Sequence, residues 1–581
     1  MPKAVLKIFK LGKEKQHMVN LKAKPFYLDD SDIEWVKSTI ESMTIEEKIG
    51  QLFVPIGVSY QRDYLDHALL HYHIGGVMYR SAESRMMQET HRYLQEHSRI
   101  PLMIGANLEY GGNGIATDGL FYANQMEVAA TGNPQNAYRL GKVACTQGKA
   151  VGCNWAFAPV VDIDLNWRNP ITNVRTYGSS PEMVKACGLE FLKAAKEENV
   201  AVAIKHFPGD GVDEVDQHVL ISVNSLTCEE WDATYGSVYG SLIEAGALTT
   251  MVGHIAMPAY QEHFAGQPSD ELIPATLSPE LLGGLLRGKL GFNGAIVTDS
   301  SVMVGFSCAM EREKAVPYTI AAGCDMLLFN KDIAEDYGYM MKGYQDGIIS
   351  EERLEEALER ILGLKAALKL HKLQPQERVP AVEALSILND EQQNQWAREC
   401  ADESVTLVKN LQNLLPLDPN KYHRVLLEIL GDFPSNDRVT SYFKRLLERE
   451  GFEVIVYEKE DFDHIEEVQF DVSSFKNKYD LVIYLANVEN ASIRVTNRLN
   501  WYTFYGNGDN VPWFVKERPT IFISLGNPYH LIDVPMMKTF INCYANNEKN
   551  MDAVVEKLMG RSPFKGTSPV DVFLGKEYTQ F

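Results

Sequence analysis

The chain's 581 residues exceed what a single hydrophobic core organises, so two large domains, or three, are expected. Its 45% hydrophobic and 23% charged residues are the balance of a folded globular protein, and no apolar run approaches the roughly 18–20 residues of a membrane helix. A formal net charge of −22 argues against nucleic acid or an anionic membrane as partner, while leaving room for a locally basic pocket.

The opening stretch MPKAVLKIFKLGKEKQHMVN scatters its charges too evenly to hold the apolar region of a secretory signal. Cysteines at 145, 153, 187, 228, 308, 324, 400 and 543 form no C-x-x-C pair and no zinc or disulfide spacing. Dispersed, apolar-flanked thiols suit a reducing compartment, so a cytoplasmic location is expected.

Eight short apolar runs follow. They are GQLFVPIG (50–57), IGGVMYR (74–80), PLMIGANLE (101–109), NWAFAPVVDI (154–163), VAVAIKHF (200–207), LTTMVGHIAM (248–257), GAIVTDS (294–300) and DMLLFN (325–330). Most are unbroken rather than alternating, as in parallel strands covered on both faces. Helical patterns separate them: Thr44-Ile45-Glu46-Glu47 is a capping box, and Ser278-Pro279 sets a cap residue before a first-turn proline. The count predicts an α/β fold with a (β/α)8 TIM-like barrel, although an irregular barrel reads the same.

Residues 351–370 form a helix that closes a catalytic barrel domain over 1–370, and residues 371–384 carry two prolines in a linker. Five more strand patterns follow, RVLLEIL (424–430), FEVIVY (452–457), DLVIYLANV (480–488), TIFISLG (520–526) and TFINCY (539–544), alternating with helical ones. They predict a smaller doubly wound α/β sandwich domain over 385–581. Its first strand is not followed by G-x-G-x-x-G, so no nucleotide site is expected there.

Reacting groups in such a barrel gather at the C-terminal ends of the strands. Asn107 and Glu109 end the third run, Lys205 and His206 the fifth, His254 the sixth and Asp299 the seventh, with Arg175 and the loop 209–218 on the same rim. Asp299, followed by two serines, fits a helix cap as well as a nucleophile that attacks an anomeric carbon. In HFPGDGVDEVDQHVL (206–220), Asp216 and His218 stand two apart, so in extended chain both point one way. A carboxylate there orients an imidazole as general acid and base; the alternative is a solvated acidic loop with an incidental histidine. Lys205 needs a buried carboxylate or a substrate hydroxyl, and His254 reads as a satisfied structural histidine rather than a catalyst.

These segments resemble glycoside hydrolase family 3, and within it the bacterial β-N-acetylglucosaminidase (β-N-acetylhexosaminidase) branch. FAPVVDIDLNWRNPITNVRTYGSSP (157–181), IKHFPGDGVDEVDQH (204–218) and GFNGAIVTDSSVM (291–303) carry the likeness in the barrel. ECADESVTLVKNLQNLLPL (399–417), LGNPYHL (525–531) and SPFKGTSPV (562–570) carry it in the second domain. The resemblance implies that Asp299 is the nucleophile, His218 the acid/base and Asp216 its dyad partner. It also implies that Arg175, Lys205 and His206 hold sugar hydroxyls; Asn107, Glu109 and His254 join them as substrate-binding candidates by their places at strand ends. The implied activity is retaining, exo-acting hydrolysis of terminal N-acetyl-β-D-glucosaminides through a glycosyl-aspartate, with a carbohydrate substrate, neither nucleic acid nor membrane as partner, and no metal or organic cofactor.

NLEYGGNGIATDG (107–119) departs from the branch's D-Q-E-G-G-R-V-x-R: Asn107 stands for the aspartate and neither arginine has a counterpart. Asp210 replaces the histidine of KHFPGHG. The distal sugar contacts therefore differ from the branch pattern. Alternatives within enzymes are a β-N-acetylglucosaminide phosphorylase, since a histidine acid/base repels phosphate less than a glutamate, and a β-glucosidase or β-xylosidase. Outside enzymes, the alternative is a catalytically inactive sugar-binding protein.

Overall fold

Each of the eight apolar runs places one strand in a closed parallel barrel. In this computed structural model the described residues are 19–457 and 471–581, except 269, 489, 502, 505, 506 and 509. The opening stretch read for a leader lies, up to residue 18, outside them.

Pro55 divides strand β1 into Phe53–Val54 and Ile56–Gly57. The others are β2 (Gly76–Tyr79), β3 (Met103–Ala106), β4 (Trp155–Ala156), β5 (Ala201–Phe207), β6 (Thr249–Val252), β7 (Ala295–Thr298) and β8 (Leu327–Leu328). The first half of β1 pairs with β8 at Phe53↔Leu327, and the second half with β2 at Ile56↔Met78. Parallel pairing then runs from β2 through to β7, and a bridge at Val297↔Met326 joins β7 to β8. One strand thus serves both neighbours and shuts the ring.

The interior is a packed core rather than a channel. Trp155 and Phe157 meet edge-on at 4.9 Å, both with no exposed surface, and the Trp155 indole donates to Thr249 Oγ1 at 2.8 Å. Burial of side chains of this size stabilises by about 1.5–3 kcal/mol each. The capping box forms as read, with Thr44 accepting from the Glu47 N–H and Glu47 accepting from Thr44. Ser278 Oγ likewise accepts from the Leu281 N–H at 3.4 Å.

Past the helix Glu351–Ala367, the chain crosses the barrel surface in short 3₁₀ turns, held by Arg92 donating to the Val379 and Pro380 carbonyls. The second sheet has six strands: β9 (Thr406–Asn410), β10 (Arg424–Leu430), β11 (Glu453–Val456), β12 (Leu481–Ala486), β13 (Thr520–Ser524) and β14 (Thr539–Asn542). Their order is β9-β14-β13-β12-β10-β11. The five parallel strands therefore run 2-1-3-4-5, a doubly wound order. Helices Asn436–Arg449 and Glu548–Leu558 pack on one face through Phe443, Leu447 and Val554, while Phe475, Phe514 and Leu531 cover the other. Strand β9, which periodicity did not set apart, is the antiparallel edge, paired Thr406↔Asn542.

All eight thiols are free, and six of them are buried. Among the described residues no helix is long and apolar enough to cross a membrane.

Candidate active site

The residues singled out in the sequence converge on the C-terminal mouth of the barrel. Asp299 follows β7, its backbone N–H bonded to the Val252 carbonyl at 2.7 Å, and its Oδ1 accepts from the Ser300 N–H at 2.7 Å. The carboxylate retains 15% exposure, open enough to be reached from the mouth. Burial pushes its pKa up, but the neighbouring His206, His254 and His218 and the Ser300 N–H hold it below the ordinary value. A group kept anionic in this way is fit to attack rather than to donate a proton.

Strand β5 slips register against β6 between Ile204 and Phe207. A slip of this kind re-aims side chains. Lys205 and His206, adjacent in sequence, are both tied to groups of the mouth. His206 Nδ1–H donates to Asp162 Oδ2 at 2.7 Å, which turns Nε2 toward Asp299 Oδ2 at 3.8 Å. Asp162 Oδ1 also accepts from the backbone N–H of His206 and of Asp210. Sequence reasoning passed over Asp162; an aspartate closing the apolar run PVVDI was the signal available.

Lys205 and Arg175 share one carboxylate. Glu109 receives Arg175 through a two-pronged contact at 2.9 Å and Lys205 Nζ at 2.7 Å. Burial would raise the Glu109 pKa, yet the two cations more than offset it and hold the carboxyl well below the usual range. The ion-pair reading of Lys205 therefore holds in this state. Asn107 ends β3 exposed at the mouth, where a sugar hydroxyl can reach it.

The loop after β5 is shaped by two glycines. Gly209 (φ 119°) and Gly211 (φ 101°) lie in the left-handed half of the map, and a Cβ would meet the Tyr235 ring at 2.2 Å or the Ile163 carbonyl at 2.1 Å. Asp216 and His218 then form the expected pair: imidazole Nδ1–H donates to Asp216 Oδ1 at 2.7 Å, and the His218 backbone N–H donates to the same oxygen at 2.9 Å. Nε2 is left for proton transfer, and the His218 side chain is 28% exposed. Burial raises the Asp216 pKa, but the hydrogen bond and charge of His218 bring it below the ordinary value.

The second domain completes this pair. The Ile493 N–H donates to Asp216 Oδ2 at 2.8 Å. Ile493 sits at φ 72°, where a β-branched residue is rarely found, so this contact fixes an unusual backbone. Nearby, Asn490 and Asn497 donate to the Thr172 and Pro170 carbonyls, and Tyr529 Oη donates to Asp164 at 2.7 Å. Contacts between residues some 277 positions apart leave no local trace in a sequence.

His254 fits the structural-histidine reading: it has no exposed surface, its Nε2–H donates to the Ser300 carbonyl at 2.9 Å, and its Nδ1 accepts from Thr276 Oγ1 at 3.0 Å. Burial lowers its pKa, and its bond to the Ser300 carbonyl ties down the turn after Asp299. Asp210, where the branch carries a histidine, is buried and receives Asn169, the Gly211 N–H and Gln217. Burial, together with nearby Asp162, pushes its carboxyl up to about 7.

A barrel whose mouth holds an anionic aspartate, an Asp–His pair and two cations on one glutamate has the makings of a glycosidase-type site. The Glycosyl hydrolase family 3 N terminal domain matches residues 44–364, and the chain belongs to that family as a glycosidase. A "Beta-N-acetylglucosaminidase/beta-glucosidase" of Cellulomonas fimi is 42% identical over 567 residues, 96% of this chain and 99% of that one. The solved structure of "Beta-glucoside phosphorylase BglX bound to 2FGlc" superposes with a TM-score of 0.91 at 43% identity, covering 96% of this chain and 99% of that chain. A glycoside hydrolase family 3 β-N-acetylglucosaminidase of Paenibacillus sp. shares the fold with a TM-score of 0.77 at 23% identity, over 91% and 99% of the two chains.

Proposed function

We propose that the protein removes terminal N-acetyl-β-D-hexosaminides, N-acetylglucosaminides foremost, by double displacement with retention. Asp299 attacks C1 as His218 Nε2–H protonates the glycosidic oxygen; the C1–O bond breaks, the alcohol departs, and a β-glycoside has become an α-linked glycosyl ester of Asp299. His218, now neutral, deprotonates the incoming acceptor, which attacks C1 and returns the carboxylate. Lys205, Arg175, His206 and Asn107 hold the ring hydroxyls, with Glu109 aligning the two cations. The observation that carries the reading is the Asp216–His218 pair at 2.7 Å on the rim that holds Asp299.

A second reading takes phosphate as acceptor and yields a sugar 1-phosphate. An imidazole base bears no negative charge against an incoming anion, and the 43%-identical neighbour is titled a beta-glucoside phosphorylase. The name of the Cellulomonas relative couples both sugars, so glucosides belong in the test.

Nitrophenyl β-glycosides of GlcNAc, GalNAc, glucose and xylose, assayed with and without phosphate, decide donor and acceptor. Faster release from GlcNAc than from glucose supports the donor assignment, and release from glucose alone overturns it. Sugar 1-phosphate at millimolar phosphate establishes the second reading; free sugar only, at an unchanged rate, removes it.

A further inference from the structure

We infer that Gln217, between the two members of the dyad, is the positioning residue that sets the span between the proton donor and the nucleophile. The inference rests on the reading that His218 and Asp299 hold those roles, since only then does their separation govern a reaction. Double displacement brings both to one sugar ring, and a reacting group misplaced by about 1 Å costs on the order of 100-fold in rate.

Gln217 is 2% exposed, although it lies in a loop and its neighbour His218 opens to the mouth. Its side chain turns inward, and both ends of the amide are bonded. Oε1 accepts from the His254 N–H at 2.7 Å, and Nε2 donates to Asp210 Oδ2 at 3.4 Å. His254 in turn donates from Nε2–H to the carbonyl of Ser300, the residue after Asp299. A short chain of bonds from Gln217 through His254 to Ser300 therefore joins the dyad to the nucleophile's turn. A second route is backbone only: the Gly305 and Val304 N–H groups donate to the Gln217 and His218 carbonyls, each at 3.1 Å.

Two glycines permit this approach. A Cβ at Gly253 would stand 2.9 Å from Gln217 Oε1, and one at Gly305 would stand 2.7 Å from the Gln217 carbonyl oxygen and 2.9 Å from His254 Cβ. Neither glycine has a positive φ, so room is what it supplies. Asp210 is itself held, with Oδ1 accepting from Asn169 Nδ2 and from the Gly211 N–H, which leaves Oδ2 to Gln217. That division of the two oxygens lets the polarity of the Asp210–Gln217 contact be reversed by exchanging acid and amide.

The test is the ratio of kcat/KM for an alkyl glycoside, which needs the proton, to that for the dinitrophenyl glycoside of the same sugar, which needs it little. Gln217→Met, similar in length but without donor or acceptor, should lower the ratio by about tenfold or more. Gln217→Glu sets two carboxylates together and Asp210→Asn sets two amide NH2 groups together, so each alone should lower it too. The Gln217→Glu/Asp210→Asn pair again faces one donor with one acceptor and should return the ratio to within about threefold of wild type. An unchanged ratio in folded Gln217→Met overturns the inference, and so does an equal loss with both substrates, the mark of a general loosening. Should Gln217→Met not fold, the exchange decides: a pair no better than its single variants, whether inactive or unfolded, overturns it. If wild type cleaves no alkyl or nitrophenyl glycoside, or if Asp216→Asn leaves the ratio unchanged, the proposed function itself fails and takes the inference with it.

Discussion

Replacing Asp216 by asparagine separates the proposed proton donor, His218, from the proposed nucleophile, Asp299. The native carboxylate accepts three bonds: His218 Nδ1–H and N–H on one oxygen, and the Ile493 N–H on the other. An asparagine has one acceptor oxygen, so either the imidazole or the second-domain loop loses its partner. A hydrogen bond to a charged group is worth about 1.5–3 kcal/mol. At 1.36 kcal/mol per tenfold, the acid-assisted step should slow by roughly 10- to 150-fold. The loss should appear with alkyl leaving groups, which need the proton. It should shrink to less than about threefold with dinitrophenolate, which departs with little assistance. A steady-state series across leaving groups reads both effects. Equal losses for every leaving group, or no loss at all, would refute the assignment of the pair.

Asp299→Ala should lower kcat by at least about 10⁴-fold, the scale on which loss of a covalent nucleophile acts, measured on a nitrophenyl glycoside. Glu109→Gln leaves Arg175 and Lys205 facing a neutral partner and should cost about 3–5 kcal/mol at neutral pH, read from the urea midpoint. Because the folded Glu109 pKa lies below its ordinary 4.5, that stabilisation is fully present above 4.5 and is lost as pH falls through the lower value. The gap between wild type and variant should therefore narrow in acid. Glu428 in β10 has the opposite sign: it is 2% exposed with Oε2 unpartnered, and burial raises its pKa from 4.5 to about 8. Its folded form keeps a proton that the unfolded chain releases, so wild type should lose stability from pH 4.5 to about 8. Glu428→Gln should gain on wild type over that window, and parallel midpoints from pH 5 to 8 would contradict this.

Both domains were legible because parallel strands buried on two faces leave unbroken apolar runs such as VAVAIKHF and LVIYLA, bounded by turn residues. Closure was not legible: the sharing of β1 between β8 and β2 depends on Pro55 splitting a five-residue run, which no periodicity records. Strand β9 escaped because a short edge strand lacks the two-sided apolar signature. In the site, the Asp216–His218 spacing and Asp299 after GAIVT were readable, since each lies within one segment. Three contacts were not: Asp162 behind His206, Glu109 binding two cations, and the Ile493 N–H on Asp216. Each joins residues far apart in sequence, and the last uses a backbone group that any residue type supplies. His254 shows the converse, a polar residue at a strand end whose hydrogen bonds are all spent on the protein.

The most direct test of the double displacement is to trap the glycosyl enzyme. Incubation with an activated fluorosugar, either 2-deoxy-2-fluoro-β-glucosyl fluoride or the 5-fluoro N-acetylglucosaminyl equivalent, should add one sugar to the intact mass. Peptide mass spectrometry should then place it on Asp299 within GAIVTDSSVM. A sugar found on Asp210, Asp216 or Glu109, or turnover that inverts the anomeric centre with no adduct formed, would contradict the account.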